Sequence, residues 1–211
     1  MKIHHYKRVP STQKHLISML KEDRCSVPFG VIADEQYSGV GSRDNEWSGV
    51  EGNFFASFAI SLDSLPSDLP LSSASIYFSF IMKQILVEYD SRVWLKWPND
   101  FYLDGDKIGG TITQKVDNIL VCGIGINLKK APDGYKALRS DIEAKKLFED
   151  YLLQLEQFPK WKQIFSQFEI EFDSNRNFSV HIGNEKKSLS DAILCDDGSL
   201  IIEEKKVFSL R

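Results

Sequence analysis

Lys96-Trp97-Pro98-Asn99-Asp100, followed after a short spacer by Lys107-Ile108-Gly109-Gly110, is the stretch of this 211-residue chain richest in reactive side chains. Pro98 offers no amide hydrogen to a ladder, so it stops the apolar run that ends at Trp97. Asn99 and Asp100 then project from a turn, and Lys107 opens a returning strand. Two lysines and a carboxamide–carboxylate pair therefore converge near one hairpin. Lysine is a compact cation suited to neutralising phosphate or carboxylate. Fixed cations of this kind stabilise charge that develops during phosphoryl-group chemistry. The same letters also make an ordinary Pro-Asn-Asp turn with solvated lysines, and composition alone favours that reading.

The elements that must position this cluster are mixed in order. Pro10-Ser11-Thr12 opens a helix to about Lys21, with Ser11 or Thr12 as its cap. Val27–Ala33 reads as a buried strand, and Gln36–Val50, with Gly39, Gly41 and Gly49, as a long polar loop. Phe54, Ala56, Phe58, Ile60 and Leu62 alternate onto one face of a strand. Ser72–Tyr89 has helical spacing. Arg92–Trp97, Phe101–Leu103, Lys107–Lys115 and Asn118–Leu128 read as an antiparallel meander turning at Asp104-Gly105-Asp106. Asp141–Glu171 is helical and is split by Pro159. Beyond Arg176, short alternating runs (178–182, 188–194, 199–203 and 206–210) punctuated by Gly183-Asn184 and Asp197-Gly198 suggest a small β appendage. The expected fold is α+β: a mixed, largely antiparallel sheet flanked by helices over residues 1–174, then a small β domain over 175–211.

Composition narrows the functional classes. A net charge of −4 argues against a general nucleic-acid binder. Three scattered cysteines, Cys25, Cys122 and Cys195, form no Cys-x-x-Cys pair and fit a reducing compartment. Four histidines, His4, His5, His15 and His181, show no metal-ligand spacing, so no protein-held metal is expected. The N-terminus lacks an apolar signal core, and no apolar run reaches the length of a membrane span. These features point to a soluble cytoplasmic protein.

Lys-Trp-Pro-Asn-Asp, a spacer and Lys-x-x-Gly together resemble the hallmark of the biotin protein ligases, and the string is long and specific. Other segments resemble that family in order. Ser11-Thr12-Gln13 is similar to the Ser-Thr-Asn segment whose hydroxyls hold the ureido ring of biotin. Gln36 in Glu35-Gln36 resembles a glutamine contacting the same ring. Gly39–Trp47 resembles the glycine- and arginine-rich biotin loop, which ends on a tryptophan. Gly123-Ile124-Gly125-Ile126-Asn127 resembles the strand whose closing Asn contacts the nucleotide, and the β appendage resembles a small SH3-like domain. A ureido group offers two N–H donors and one carbonyl acceptor, which hydroxyls and a carboxamide at a helix start can satisfy.

The resemblance implies a two-step ligase of the short form, with no room before the first helix for a DNA-binding domain. Biotin and ATP would form biotinyl-5′-AMP with Mg²⁺, and the biotin would pass to a lysine of a biotin carboxyl carrier protein. It implies biotin contacts at Ser11, Thr12, Gln13, Gln36, Gly39, Val40, Gly41, Ser42, Lys107 and Gly110. It places ATP near Lys96, Arg43, Trp47, Asn99 and Asn127. Lys107 would be the central cation, Lys96 its support, and Asp100 would orient or deprotonate the incoming amine. Neither DNA nor a membrane is an expected partner, and an exposed sheet edge could support a homodimer. The loop departs from the family: Val40, Ser42 and Asn45 stand where arginines are usual, Asp44 replaces a glycine, and Arg43 remains as its cation. Arginine forks hold carboxylate and phosphate bidentately, so the departure predicts a looser grip on the adenylate. The rival readings are a lipoate ligase-type acyl adenylation and a non-catalytic biotin sensor.

Overall fold

The computed structural model describes residues 1–41, 46–138, 141–183 and 185–209. Its centre is an eight-stranded sheet. The strands are β1 (Lys2–Val9), β2 (Phe29–Val40), β3 (Glu46–Gly49), β4 (Phe54–Ser61), β5 (Val93–Lys96), β6 (Asp100–Leu103), β7 (Asp106–Val116) and β8 (Ile119–Ile126). They run in the order β1-β2-β4-β8-β7-β6-β5, with β3 folded back on β2. β1 and β2 are parallel; the other pairs are antiparallel. The segment read as a loop, Gln36–Val50, is thus largely strand: β2 continues to Val40 and pairs with β3. Its glycines and polar residues hid the pairing, because an edge hairpin needs no apolar alternation. Ser42, Arg43, Asp44 and Asn45 lie outside the described residues.

Both faces of the central strands are buried, so β4 is covered on both sides from Phe54 to Ile60. One face carries Ala56, Phe58, Ile60, Cys122, Ile124 and Ile126, under helices α2 (Ala74–Leu86), α3 (Ala144–Leu155) and α4 (Trp161–Glu171). The opposite face carries Val31, Ala59 and Val121 against Leu16 and Met19 of α1 (Thr12–Lys21).

Alternation then creates the site. In β8, Ile124 and Ile126 point into the main core, so Gly123 and Gly125 point to the α1 side. They pair with Ser57 and Phe55 of β4 and with Ile112 and Gly110 of β7. α1 covers this face over Val121 and Ala59 but begins at Thr12. Beyond its first turn three strand glycines leave an uncovered trough.

A bulge re-aims the key lysine. Asp100 pairs with Gly110 and Phe101 with Gly109, but Tyr102 pairs with Lys107. Ile108 is the extra residue, and its side chain is fully buried in the main core. Without this insertion Lys107 would have the parity of the core face; with it, Lys107 shares a face with Gly110 and Asp100.

The last strands form two small antiparallel sheets. β9 (Ser179–Ile182) pairs with β10 (Glu185–Ser188), and β12 (Leu200–Ile202) lies between β11 (Ile193–Leu194) and β13 (Lys205–Val207). The run expected at 188–194 is divided between β10 and β11. Val180, Leu189, Ala192, Leu200 and Ile202 belong to the same hydrophobic cluster as α2 and β8. Trp97 is buried at this junction: its indole N–H donates to the Gly198 carbonyl at 2.9 Å, and its amide donates to Asn175 Oδ1 at 2.7 Å. No helix among the described residues is long and apolar enough to cross a membrane.

Candidate active site

The trough opens into a cleft, half open to solvent, between the start of α1, the β2–β3 hairpin and the β6–β7 end of the sheet. Its floor is Ser57, Ile112, Gly110, Gly123 and Gly125. One wall is the start of α1, with Ser11, Thr12 and Gln13. The β2–β3 hairpin supplies Gln36, Val40, Gly41 and Trp47, and the far end holds Asn99, Asp100 and Lys107. A hydrogen bond from the Ser38 amide to the Pro10 carbonyl, at 2.9 Å, ties the hairpin to the helix entry.

Main-chain groups fix the polarity of the inner end. The Thr12 amide can only donate, and it donates to Gln36 Oε1 at 2.7 Å. Thr12 Oγ1, 3.1 Å from the same oxygen, donates to it as well. Ser57 Oγ in turn donates to Thr12 Oγ1 at 2.9 Å. The Gln36 amide nitrogen is left to donate into the cleft, and Ser57 Oγ is left to accept. On the other side the Val121 carbonyl can only accept, and Gln13 Nε2 donates to it at 3.4 Å. Gln13 Oε1 is thereby turned into the cleft, buried and without a partner. Ser11 caps α1 by accepting the Lys14 amide at 3.4 Å, so its own proton is available to a ligand. The inner end thus presents two donors, Ser11 and Gln36, and two acceptors, Gln13 and Ser57.

The outer end is charged. Lys107 Nζ and Asp100 Oδ1 are 2.6 Å apart, and both side chains keep about a fifth of their surface open to solvent. Asn99 closes the turn instead of entering the charge pair: its Nδ2 donates to the Thr111 carbonyl, and its own carbonyl accepts the Thr111 amide at 2.9 Å. Trp47 packs against the floor; a Cβ at Gly125 would come within 2.9 Å of its indole. The Trp47 indole N–H is buried without a protein partner.

Three expected residues stand apart from the cleft lining. Lys96 shares the face of Asp100 but holds its ammonium 5.4 Å from the centre of the Tyr102 ring. Burial, and then the Asp100 charge, push the Tyr102 phenol up to about 12, so this ring stays neutral beneath the lysine. Asn127 is buried behind the floor, with Nδ2 donating to the Lys136 carbonyl at 3.3 Å and Oδ1 unpartnered. Gly39 underlies the wall: a Cβ there would meet the Trp47 carbonyl at 2.6 Å and Gln36 Nε2 at 2.9 Å. Ser42 and Arg43 lie outside the described residues. Sequence reasoning missed Ser57. The signal available was a hydroxyl in the middle of an otherwise aromatic and aliphatic run, Phe54–Ile60, whose register with Gly123 only the sheet reveals. Among the described residues no group of three or more His, Cys, Asp or Glu is placed to hold a metal.

This sheet, its covering helices and its C-terminal strands are those of biotin protein ligase structures. The biotin protein ligase of Aquifex aeolicus, solved with biotin and ATP, superposes with a TM-score of 0.78 over 100% of this chain and 96% of that one, at 22% identity. A Helicobacter pylori biotin acetyl coenzyme A carboxylase synthetase, solved with bound biotinylated ATP, is 34% identical with a TM-score of 0.92. That match covers 98% of this chain and 99% of the other. Residues 6–130 match the model of the biotin/lipoate A/B protein ligase family, and the chain belongs to that family. A biotin–[acetyl-CoA-carboxylase] ligase of Paracoccus denitrificans is 32% identical over 117 residues, 49% of this chain and 45% of that protein. The chain thus spans less than half the length of such curated relatives.

Proposed function

We propose that this protein activates biotin with ATP and transfers it to a lysine of a biotin carboxyl carrier protein. The observation that carries this reading is the array of two donors and two acceptors at the inner end of the cleft. The ureido head of biotin needs that complement: two donors for its carbonyl oxygen and one acceptor for each N–H. The dithiolane head of lipoate has no N–H. It would leave Gln13 Oε1 and Ser57 Oγ buried and unpaired, at roughly 1–3 kcal/mol for each group.

With the head seated over Gly123, the valeryl chain runs along Ile112 and Gly110 toward Lys107. The biotin carboxylate attacks the α-phosphate of ATP; a new carboxyl oxygen–phosphorus bond forms, and the bond to pyrophosphate breaks. Lys107 lies where it can neutralise both the carboxylate and the α-phosphate, so it stabilises charge on the attacked phosphorus. A magnesium ion bound with the triphosphate would supply charge neutralisation at the pyrophosphate. Asp100 is the carboxylate at this end that would face it, and the remaining ligands would be phosphate oxygens and water. In the second step the carrier amine attacks the activated carbonyl and AMP leaves. Asp100, freed from Lys107 by the phosphate, is placed to orient that amine and hold its proton. Trp47, pressed against Gly125, supplies an aromatic surface for the adenine.

The test is adenylate formation without carrier. The chain is incubated with magnesium, α-labelled ATP and, in parallel, biotin, lipoate or octanoate. Biotin alone is expected to give an acyl-adenylate. Adenylation of lipoate in its place would reassign the substrate, and biotin binding without adenylate would leave a sensor.

A further inference from the structure

We infer that an aromatic platform on the open face of β5 and β6 is where the carrier protein docks, through apolar side chains that flank its acceptor lysine. Trp94, Tyr102 and Phe178 make the platform, and Tyr135 stands at its edge. The inference rests on the proposed ligase reading and adds to it the surface that receives the second substrate.

The platform begins at the reacting end of the cleft. Tyr102 is the cross-strand partner of Lys107, and Trp94 is the cross-strand partner of Tyr102. Alternation puts Trp94, Tyr102 and Asp100 on one face. Trp94 is thus two strands from Lys107, about 10 Å at the usual strand spacing. Trp94, Tyr102 and Phe178 pack on one another with ring centroids 5.2, 5.0 and 5.3 Å apart, and each keeps part of its surface open. Tyr135 is 48% exposed, on a segment that the Lys136 amide ties to the Lys107 carbonyl at 3.1 Å. The core helices lie against the opposite face of β5 and β6, over Val93, Leu95, Phe101 and Leu103.

The acceptor lysine has this side left to it. Biotin fills the inner end of the cleft in the proposed reaction, and the adenine lies toward Trp47 on the hairpin. The β6 side, where Asp100 stands, is open. An extended lysine side chain spans about 6 Å from Cα to Nζ, so the carrier backbone must come that close to the activated carbonyl. Residues beside the acceptor lysine then fall on Tyr102 and Trp94. The surroundings of the rings give the partner's chemistry. Asp104 pairs with Lys136 at 2.8 Å and with Arg92 at 3.1 Å, and Asp90 holds Arg92 at 2.7 Å. These charges neutralise one another in a rim, so the platform selects apolar contact and not a charge sign. Aromatic anchors inside a polar rim carry most of the binding energy in protein interfaces.

In the transfer, the acceptor nitrogen bonds to the biotinyl carbonyl carbon and the carbon–oxygen bond to AMP breaks. AMP keeps the electron pair, and the proton of the nitrogen passes by Asp100 to water. Hydroxylamine undergoes the same reaction without a docking surface, so it separates docking from chemistry. Pyrophosphate release, biotinyl hydroxamate formation and biotin transfer to a purified apo biotin carboxyl carrier domain are measured for the wild type, Tyr135→Ala and Trp94→Ala. Tyr135 is exposed enough to be removed without disturbing the core. In each variant kcat/KM for the carrier domain should fall about tenfold or more, the usual loss of an aromatic anchor. Pyrophosphate release and hydroxamate formation should stay within about twofold of the wild type, because neither needs the platform. Variants that modify the carrier domain as well as the wild type overturn the inference while the ligase reading stands. So does an equal loss of all three activities, which marks a purely structural role. Sedimentation of the chain alone is run alongside: a wild-type dimer that Trp94→Ala dissociates would give the platform to a second copy and overturn the inference. A wild type that forms no biotinyl-AMP overturns the ligase reading with it.

Discussion

At the scale of single residues, the charge pair at the mouth of the cleft and the neutral array at its inner end divide the work. Asp100 holds Lys107 at 2.6 Å, which keeps the lysine at the end of the cleft where the proposed reaction brings carboxylate and phosphate together. Lys107→Ala should therefore lower biotin-dependent pyrophosphate release by about 10²–10³-fold, the usual loss when one transition-state charge partner is removed. The fold should survive with a modestly lower thermal midpoint, because Asp100, left without its partner, still keeps a fifth of its side chain in water. Near-normal turnover in that variant would remove Lys107 from the mechanism. The family resemblance of the hallmark string and of the Ser11-Thr12-Gln13 segment made this cation and the helix-start hydroxyls legible in the sequence, since residue types alone fit a turn and a cap equally well. Lys96 illustrates the converse. Two lysines in one hairpin look equivalent as letters, yet only the pairing of β5 with β6 shows that Lys96 lies over Tyr102 and away from the cleft lining.

At the scale of elements, the site exists because α1 stops where the glycines begin. Gly123→Ala would place a methyl between Gln13 Oε1 and Ser57 Oγ, on the floor where the proposed function seats the ligand head. Calorimetry should show biotin affinity lowered by about 100-fold or more, the scale set by losing matched polar contacts. The fold should survive, since the side chain met most closely is the flexible end of Gln13. Unchanged affinity would move the head group off this floor. α1 also carries a pH signature. His15 has a buried Nε2 without a partner and packs edge-on to Tyr6 at 4.7 Å. Burial, with Arg24 nearby, lowers its pKa below 6.5. The unfolded chain therefore binds this proton more readily than the folded one. His15 contributes its stability in full above pH 6.5 and loses it as pH falls through the lowered folded value. Thermal melts from pH 7.5 down to 5.5 should show a decline that is smaller in His15→Gln; equal declines would contradict the assignment. Most central strands and the main helices could be read from periodicity, whereas β1, with its charged and half-exposed residues, could not. The β7 bulge could not, because one extra residue leaves the alternation of letters intact on either side while reversing the face of Lys107. The hairpin of β2 and β3 escaped for a related reason: its pairing rests on backbone groups and not on apolar spacing.

At the scale of the whole molecule, the hallmark string is also a joint. Trp97 within it anchors the catalytic sheet to the C-terminal strands through the Gly198 carbonyl and Asn175. Trp161 does the same from α4, its indole N–H donating to the Asp196 carbonyl at 2.8 Å. The cleft and the last strands therefore share one core, and Asn99 and Asp100 depend on that joint for their placement. Trp97→Phe keeps the ring but leaves the Gly198 carbonyl unpaired, which should cost about 1–3 kcal/mol. The loss should appear as a lower midpoint of a single unfolding transition. Two separate transitions would show that the C-terminal strands melt on their own. The change of character after Arg176 was visible as short alternating runs, but their packing into the main core was not. That packing depends on contacts between residues about a hundred positions apart, such as Trp97 and Gly198, which no local pattern announces.

The measurement that tests the account most directly is a crystal structure of the chain with a non-hydrolysable biotinyl-adenylate analogue. The account predicts the ureido ring over Gly123, its N–H groups on Gln13 Oε1 and Ser57 Oγ, its carbonyl on Ser11 and Gln36, and the phosphate ester beside Lys107. A head group bound elsewhere, or a phosphate remote from Lys107, would contradict it.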